Sequence, residues 1–408
     1  MAGGSRDALA APVDVAAEVV IVGGGIAGLA TAVALRRVGM GGVLVLERQG
    51  ELRATGAALT IFPNGWFALR ALGIAHKLTC RYDAFQTGEV GVRPVHRKVL
   101  LEALAKELPP ATIRFSSKVI SISTETRGGS PGEIVVVLLD DGTVIRSKIL
   151  IGCDGVHSVV ARWLGLPEAA TSGRSAVRGL SVYPDGHGFK KGLRQFLSAG
   201  LRAGMGPISD TDVYWFLVNN TTTAGKQNEV GTDPAKILRE VTENVGRNLP
   251  AEYLDVVCHS DPGSLTWAPL LYRHPWAVLT GRASYGPITV AGDAFHPMTP
   301  DMAQGGCAAL EDAVVLARAL SRAPKLADGV AAYISERRCR VAWLVAGAYL
   351  SGWVQQGGSS VQGVRSYIIR LFRDLIFYKF LFPKLADAMW YNCGDLKPRN
   401  EIGKNYSE

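Results

Sequence analysis

A glycine-rich turn near the start of the chain joins an apolar stretch to a helical pattern. The apolar stretch 18–22 runs into Gly23-Gly24-Gly25-Ile26-Ala27-Gly28, and the helical pattern continues from 29 to 38. A second apolar stretch, 43–46, then ends at Glu47. A strand, a glycine turn, a helix and a second strand within about thirty residues predict a parallel βαβ unit, and thus an α/β fold.

The glycine triad and Glu47 carry the chemistry expected of this unit. Gly23 permits a tight turn, Gly25 lets a pyrophosphate approach the backbone, and Gly28 lets the helix and the strand pack closely. The first turn of the helix offers unpaired N–H groups to the anion. Glu47 follows Gly28 by 19 residues (47 − 28), where a carboxylate accepts hydrogen bonds from ribose hydroxyls. An acidic residue there disfavours a 2′-phosphate, so the turn predicts FAD or NAD rather than NADP.

The remaining patterns divide the chain into several parts. Strand patterns between 112 and 145 predict an antiparallel meander with a hairpin turn at Asp141-Gly142, and 149–151 predicts a strand that returns to the first sheet. Short strands separated by Gly, Pro and Asn then predict a mixed α+β domain. The predicted parts are a flexible leader, 1–17; a nucleotide-binding domain in two pieces, 18–171 and 287–325; an inserted domain, 172–286; and a helical C-terminal region, 326–408.

Composition excludes several classes of protein. With 48% hydrophobic and 20% charged residues, the chain is globular rather than disordered. The net charge is +8, but the basic residues form no run longer than two, so no nucleic-acid partner is expected. The six cysteines form no CxxC pair and no cluster with histidines, which argues against a metal site and favours a reducing, intracellular location. The cytoplasm fits this best, and association with an organelle stays open.

Membrane association is expected to be peripheral at most. No uncharged apolar stretch reaches 18 residues, so no membrane-spanning helix is expected. The segment 367–382 is amphipathic, with Arg370, Arg373 and Lys379 among apolar residues. This pattern fits docking on the protein itself better than binding to a membrane surface, and peripheral membrane contact stays open.

Two later motifs resemble those of a known enzyme family. Cys153-Asp154-Gly155-Val156-His157-Ser158, followed by Arg162, is similar to the Asp-Gly motif of the FAD-dependent aromatic hydroxylases, which are single-component flavoprotein monooxygenases. The stretch 292–300, Gly-Asp-Ala-Phe-His-Pro-Met-Thr-Pro, and Gln304-Gly305-Gly306 after it resemble that family's Gly-Asp motif and flavin-facing loop. Residues 304–313 are most similar to the plant-type branch that contains zeaxanthin epoxidase, and the resemblance covers about residues 18–340.

The resemblance implies a Rossmann-like FAD-binding domain with an antiparallel meander inserted in its parallel sheet, an inserted α+β substrate domain and a helical C-terminus. It implies FAD as cofactor, NADPH or NADH as electron donor, and oxygen transfer from O2, through a flavin C4a-hydroperoxide, to an aromatic or unsaturated small molecule. Besides the glycine triad, the residues that it places at FAD are Glu47, Arg48, Ala58, Arg97, Val119, Asp154, Asp293, Pro300, Gly305 and Gly306. If Gly305 and Gly306 open a helix toward the flavin, its positive end stabilises the reduced, negatively charged ring. No single side chain is implied as a catalytic acid or base.

The sequence leaves the activity and the substrate open at several points. The segment 83–94 looks shorter than in the family, which indicates either a pared-down pocket wall or a noncatalytic nucleotide-binding variant. A flavin-linked reductase or dehydrogenase on the same fold is a further alternative. The positions that depart from the family's pattern are Tyr272, Phe295 and Ala303. The substrate is expected between the two domains, where Tyr214, Trp215, Phe216 and Trp267 are available, although these aromatic residues can equally belong to the core. The oligomeric state stays open.

Overall fold

The computed structural model describes residues 14–52, 58–85, 91–126, 133–198, 200–220, 233–356 and 371–397. Its architecture confirms the predicted α/β fold class, with a parallel-sheet domain, a second domain built on an antiparallel sheet, and C-terminal helices. The described strands are β1 Asp14–Val22, β2 Val43–Leu46, β3 Ala58–Ile61, β4 Arg93–His96, β5 Ile113–Arg114, β6 Val119–Thr126, β7 Glu133–Leu139, β8 Val144–Gly152, β9 Ala170–Val182, β10 Arg194–Ser198, β11 Leu201–Pro207, β12 Asp212–Asn220, β13 Thr266–Tyr272, β14 Ser284–Tyr285 and β15 Ile288–Val290.

Most of the helical structure lies around the first sheet and at the C-terminal end. The described α-helices are α1 Ile26–Arg37, α2 Pro63–Ala71, α3 Ala75–Thr79, α4 Arg97–Ala105, α5 Val159–Leu164, α6 Pro234–Arg239, α7 Ala251–Cys258, α8 Pro275–Thr280, α9 Gly305–Arg322, α10 Leu326–Gln355 and α11 Phe382–Asp387. Short 3-10 helices occupy Pro110–Thr112, Pro262–Ser264, Gly292–Ala294, Pro300–Met302 and Ala388–Trp390, and π-helical turns occupy Glu240–Val245 and Arg373–Leu381.

The parallel sheet brings the predicted motifs to one edge. β1 pairs in parallel with β2 and with β8, and β15 pairs in parallel with β8. The end of β1, Val19–Val22, is buried, as expected for a parallel strand covered on both faces. Because the carboxyl ends of parallel strands meet at the same edge, the glycine turn, Glu47 and Asp154 lie close together there.

Two strand boundaries differ from the sequence-based expectation. β1 begins at Asp14, so residues 14–17 of the predicted leader belong to a strand. The hairpin strand and the returning strand are one continuous strand, β8, which pairs with β7 in its first half and with β15 at its end. Ion pairs of Arg146 with Asp14 and of Lys148 with Glu18 join the polar middle of β8 to β1. The strand continues through residues that lack an apolar pattern because its backbone pairs with β1 from Val144 to Gly152.

The second domain contains a five-stranded antiparallel sheet in the order β10-β11-β12-β9-β13. One face of β12 packs against α6 and α7, and Trp215 is fully buried there, where its indole N–H donates to the hydroxyl of Ser260 at 2.8 Å. Trp267 packs against the same core. Of the two roles that the sequence leaves open for Trp215 and Trp267, the structure shows a place in the core and not one in a substrate cleft. Tyr214 and Phe216 lie on the other face of β12, and Tyr214 packs against the core of the first domain.

The C-terminal region begins with the 30-residue helix α10, which packs on α9. Part of the predicted amphipathic segment, 367–370, lies outside the described residues. Its later part is helical and exposes the apolar side chains of Leu375, Ile376 and Phe380. Across the part of the chain that the structure describes, no helix combines the length and the apolar character needed to cross a bilayer. Peripheral membrane contact stays a prediction.

Candidate functional site

A cavity of about 310 Å³ opens at the carboxyl edge of the parallel sheet. Its walls come from the glycine turn, the ends of β2 and β8, the start of α4, the loop after β15 and the first turn of α9. Ten residues predicted from the sequence line it, namely Gly23, Gly25, Glu47, Arg48, Arg97, Val119, Asp154, Asp293, Gly305 and Gly306. The volume lies at the lower end of the range typical of ligand pockets.

Three predicted site residues do not line the cavity. Gly28 lies in the first turn of α1, where a Cβ atom would come within 1.9 Å of the carbonyl oxygen of Gly23. It therefore serves the close packing of helix and strand expected of the third glycine. Ala58 begins β3, directly after residues 53–57, which the structure does not describe. Pro300 is half-buried at the start of a 3-10 helix. The cofactor contacts of Ala58 and Pro300 stay predictions.

The glycine turn leaves space for a ligand at the start of α1. Gly23 has a φ of +105°, and a Cβ atom there would lie 2.4 Å from the carbonyl oxygen of Cys153, so only glycine fits. Gly25 precedes α1 in an ordinary extended conformation, and a Cβ atom there would meet nothing within 4 Å. No side chain caps α1 and no acidic residue lies in its first turn. This helix end is therefore suited to bind an anion.

Glu47 is oriented by the backbone around it. Its Oε2 atom accepts a hydrogen bond from the N–H of Gly24 at 2.8 Å, and Oε1 accepts one from the N–H of Gln49 at 2.9 Å. The residue is only 7% exposed, and it lines the cavity. Each carboxylate oxygen has a second lone pair, so Glu47 can still accept hydrogen bonds from a ligand hydroxyl.

Asp154 uses its carboxylate within its own loop. One oxygen accepts from the hydroxyl of Ser158, and the other accepts from the N–H of Val159 at 2.7 Å. Burial raises the pKa of Asp154, and these hydrogen bonds offset part of that effect. The carboxylate thus fixes the turn that brings Gly155 and His157 to the cavity wall.

Asp293 presents a carboxylate to the cavity. Its side chain makes no hydrogen bond with another residue that the structure describes. Burial raises the pKa of Asp293, and the nearby charges of His296 and Arg97 counter this in part. The loop that carries it is held from α9, because Asp312 Oδ2 accepts from the N–H of Gly292 at 2.8 Å and contacts Nε2 of His296 at 2.6 Å. Asp293 is therefore positioned to bind a ligand rather than to stabilise the loop.

Two glycines form the start of α9 at the cavity. No side chain caps this helix, so its first N–H groups are available to a ligand. A Cβ atom on Gly306 would lie 2.9 Å from Cδ1 of Leu59, which leaves little room for a larger residue. Ala303, shortly before, has a φ of +51°. This left-handed conformation costs a residue with a side chain about 1–2 kcal/mol, whereas glycine adopts it without that cost.

Sequence analysis missed a set of buried charges behind the cavity. Arg337, on α10, donates to Glu311 at 2.6 Å and to Asp312 at 2.7 Å, and all three side chains are fully buried. Asn64 donates to Glu311 at 2.6 Å and to Gln304, the residue before α9, at 2.8 Å. The only signal in the sequence was the pair of acidic residues 311–312 within the otherwise apolar stretch 307–317.

A second missed cluster joins the two domains. Asp301 follows Pro300 directly, and its carboxylate accepts from both terminal nitrogens of Arg174, at 3.0 and 2.8 Å, and from Arg202 at 2.7 Å. Gln356, which follows α10, accepts from Arg174 at 3.2 Å. These residues lie far apart in the chain, so no local motif indicates that they meet.

The sequence of the chain matches two described protein families. Residues 89–348 match a family described as an FAD binding domain, and residues 18–109 match one described as FAD dependent oxidoreductases. Monooxygenase 2 of Arabidopsis thaliana is 38% identical over 93% of this chain and 98% of its own length. Monooxygenase 1 of the same plant is 36% identical over 84% of this chain and 92% of its own length.

The fold also matches solved structures. The crystal structure of Klebsiella pneumoniae HpxO complexed with FAD and uric acid aligns with a TM-score of 0.74 and 22% sequence identity. The alignment covers 93% of this chain and 98% of that one. At this identity the likeness concerns the fold.

Proposed function

The chain belongs to the FAD-binding family of FAD-dependent monooxygenases, and from this premise we propose that it uses NADPH or NADH and O2 to oxygenate an aromatic or unsaturated small molecule. One observation carries the proposal. A single cavity joins the uncapped start of α1, the carboxylates of Glu47 and Asp293, and the uncapped start of α9. Anion-binding helix ends and carboxylates are the groups that a dinucleotide with ribose hydroxyls requires.

The residues present fit FAD in shape and charge. The open space at Gly25 and the N–H groups of α1 suit a pyrophosphate. Glu47 can accept hydrogen bonds from the adenosine ribose hydroxyls. The carboxylate of Asp293 can accept hydrogen bonds from the ribityl hydroxyls of the cofactor. When bound, FAD supplies the redox chemistry and the activation of oxygen. The protein's own groups bind and orient it and exclude water.

The start of α9 has an electrostatic role in this proposal. The N–H groups of Gly305 and Gly306 lie at the positive end of a helix of 18 residues without a side-chain cap. Such an end stabilises a nearby negative charge by up to about 2 kcal/mol in a partly buried site. It therefore favours acceptance of electrons by the bound cofactor. The substrate lies on the Tyr214 and Phe216 face of the second sheet.

Oxygen consumption coupled to substrate tests this function. Protein reconstituted with FAD is expected to show a flavin absorbance spectrum and to oxidise NADPH or NADH faster when a substrate from a panel of phenolic acids, purines and carotenoid-like compounds is added. Stoichiometric O2 consumption with little hydrogen peroxide is the expected result. Substrate reduction without O2 consumption would instead favour a flavin-linked reductase or dehydrogenase. Protein that retains no flavin would favour the noncatalytic variant, which the segment 83–94, partly outside the described residues, left open.

Replacement of Asp293 with asparagine is expected to weaken FAD retention by about 10- to 100-fold. The change removes a charged hydrogen-bond acceptor, and such bonds contribute about 1.5–3 kcal/mol. The pKa of Asp293 is raised because the carboxyl group lies within the cavity, but the residue is exposed there, so its ionised form lowers the stability of the folded protein without cofactor only slightly. This unfavourable contribution is absent well below the unfolded pKa of about 4 and is complete above the raised folded pKa. Apo Asp293→Asn should therefore unfold at the same temperature as the parent protein, or slightly higher, at neutral pH.

The matched control is Asp185→Asn, which removes the same charge from an exposed turn. It should leave FAD retention unchanged. Flavin absorbance after gel filtration and calorimetric titration with FAD measure the effect. Equal FAD occupancy in the parent protein and Asp293→Asn would contradict the placement of Asp293 at the cofactor.

A further inference from the structure

Three polar side chains make a chain of contacts across the boundary between the two domains. His96, at the end of β4 in the FAD-binding domain, lies with its Nε2 atom 3.3 Å from Oδ2 of Asp212 on β12 of the second domain. Its Nδ1 atom lies 2.9 Å from the hydroxyl of Tyr82. Ser209 holds the carboxylate in place, because its hydroxyl donates to the same Oδ2 at 2.9 Å. Tyr82, His96 and Asp212 form the boundary cluster, which has no role in the function proposed above.

One neutral form of His96 satisfies both of its contacts. Nδ1 accepts the hydrogen of the Tyr82 hydroxyl, and the ring hydrogen on Nε2 faces the carboxylate of Asp212. If His96 takes up a proton, both ring nitrogens carry hydrogens, and Tyr82 can no longer donate to Nδ1. Tyr82 is only 2% exposed, so its displaced hydrogen has little access to water, which is costly. Protonation therefore breaks one of the two contacts.

The charged groups around His96 compensate a proton on it only in part. Burial of the ring has the largest effect and lowers the pKa of His96 below its ordinary value of 6.5. Asp212 counters this shift, whereas the positive charge of Arg81 adds to it. Glu102, on α4, acts on Tyr82 rather than on the imidazole. The closed boundary thus favours the neutral ring.

The lowered pKa couples the proton to the closure of the boundary. When the boundary opens, His96 is exposed to water and its pKa returns to about 6.5. The contribution of neutral His96 to closure is therefore complete at pH values above about 6.5, and it is lost as the pH falls from there toward the lowered pKa of the closed state. Acid thus shifts the boundary toward the open state.

Two other described ion pairs that join the domains contain no histidine. Asp301 is bound by Arg174 and Arg202, and an arginine keeps its charge. Lys191 pairs with Asp83 at the surface. Their mutual hydrogen bond, and then their opposite charges, lower the pKa of Asp83 and raise that of Lys191, so both stay charged near neutral pH. The effect of mild acid is therefore expected on the side of the boundary cluster.

We propose that the boundary cluster is a pH-sensitive latch, which holds the two domains together while His96 is neutral and releases them on this side when His96 takes up a proton. Arg97 follows His96 directly and lines the cavity. Release therefore loosens one wall of the cavity together with the boundary. The latch consists of residues of this chain alone and does not depend on which substrate is oxygenated.

Hydrogen–deuterium exchange of FAD-loaded protein, corrected for the intrinsic effect of pH, tests the latch. Opening exposes backbone N–H groups, so peptides that contain His96 or Asp212 should exchange at least about threefold faster at about pH 5.5 than at about pH 7.5. Peptides around Asp301 should show no such change. In parallel, NMR of protein labelled with ¹⁵N-histidine should show the hydrogen of neutral His96 on Nε2 and a pKa below 6.5.

His96→Gln separates the charge of His96 from its hydrogen bonds. A glutamine amide accepts from a hydroxyl and donates to a carboxylate, as the neutral imidazole does, but it does not titrate. This variant should exchange like the parent protein at about pH 7.5 and lose the acceleration at about pH 5.5. The matched control is His76→Gln, which removes an exposed histidine from α3 and should keep the full acceleration.

A second variant tests the role of the carboxylate independently. Asp212→Asn removes the attraction for a protonated ring, so acid should accelerate exchange more strongly than in the parent protein. An acceleration in His96→Gln equal to that of the parent protein would overturn the proposal. So would a pKa of His96 at or above 6.5, or an equal acceleration around Asp301, because each would place the effect of acid outside the boundary cluster.

Discussion

Replacement of Arg337 with methionine is expected to lower the free energy of unfolding by about 3–5 kcal/mol, the range for removal of one partner from a buried ion pair. Arg337 is fully buried and donates to Glu311, to Asp312 and to the carbonyl oxygen of Ala308. Methionine has a comparable length but no donor, so both carboxylates would lose their shared partner. Arg340 would still pair with Glu311, which keeps the loss within this range. Chemical denaturation at neutral pH measures the change.

The same substitution should also move acid unfolding to higher pH. Burial by itself would raise the pKa of Asp312, but its interactions with His296 and Arg337 lower it to about 2. A carboxyl group whose pKa is lower in the folded protein than in the unfolded chain stabilises the folded state at pH values above its unfolded pKa of about 4. This stabilisation is lost as the pH falls toward the folded pKa of about 2. Without Arg337 the pKa of Asp312 rises, so the loss begins at higher pH.

Arg146→Met is the matched control for this prediction. Arg146 pairs with Asp14 and Glu125 on the surface, where water and salt screen the charges. Its substitution should change the unfolding midpoint far less than that of Arg337. Similar midpoints for the two variants would show that the charges behind the cavity do not form a stabilising network.

Replacement of Gly25 with valine is expected to weaken FAD binding by at least about 100-fold, which corresponds to about 2.7 kcal/mol. A Cβ atom at this position meets nothing within 4 Å, and the backbone is in a conformation that valine adopts. The protein should therefore fold normally. The new side chain would occupy the space beside the uncapped start of α1, where the pyrophosphate is proposed to lie. Flavin retention and apoprotein melting temperature measure the two effects separately.

Two further glycine variants serve as controls for this prediction, one expected to have no effect and one expected to impair folding. Gly41 is exposed and also has open space around it, so Gly41→Val should affect neither flavin retention nor folding. Gly28→Val places a Cβ atom against the carbonyl oxygen of Gly23 and should impair folding itself. If Gly25→Val retained FAD as the parent protein does, the pyrophosphate could not lie at this helix end.

Features determined by neighbouring residues could be predicted from the sequence. The glycine turn, the Asp-Gly turn and the paired glycines of α9 each depend on a few consecutive residues, and the structure brings them to one cavity. The α/β fold follows from the same local patterns. The interruption predicted within β8 is different, because the polar middle of this strand pairs through its backbone with β1, more than a hundred positions earlier.

Long-range pairings were beyond sequence reasoning for the same reason. The role of Trp215 depends on which face of β12 the helices cover, and alternation along one strand does not determine that. The contacts of Asp301 with Arg174 and Arg202 join residues about a hundred positions apart.

The contacts of Asp301 restrict how the two domains can move relative to each other. One carboxylate joins the loop beside the cavity to two strands of the second sheet, and Gln356 adds a hydrogen bond to the carbonyl oxygen of Val218. Rotation at this point would separate buried opposite charges, which is costly. The opposite end of the boundary is held by the partly exposed pair of His96 and Asp212, 3.3 Å apart. Any rotation between the domains is therefore expected to pivot at Asp301 and to displace the residues around His96 the most.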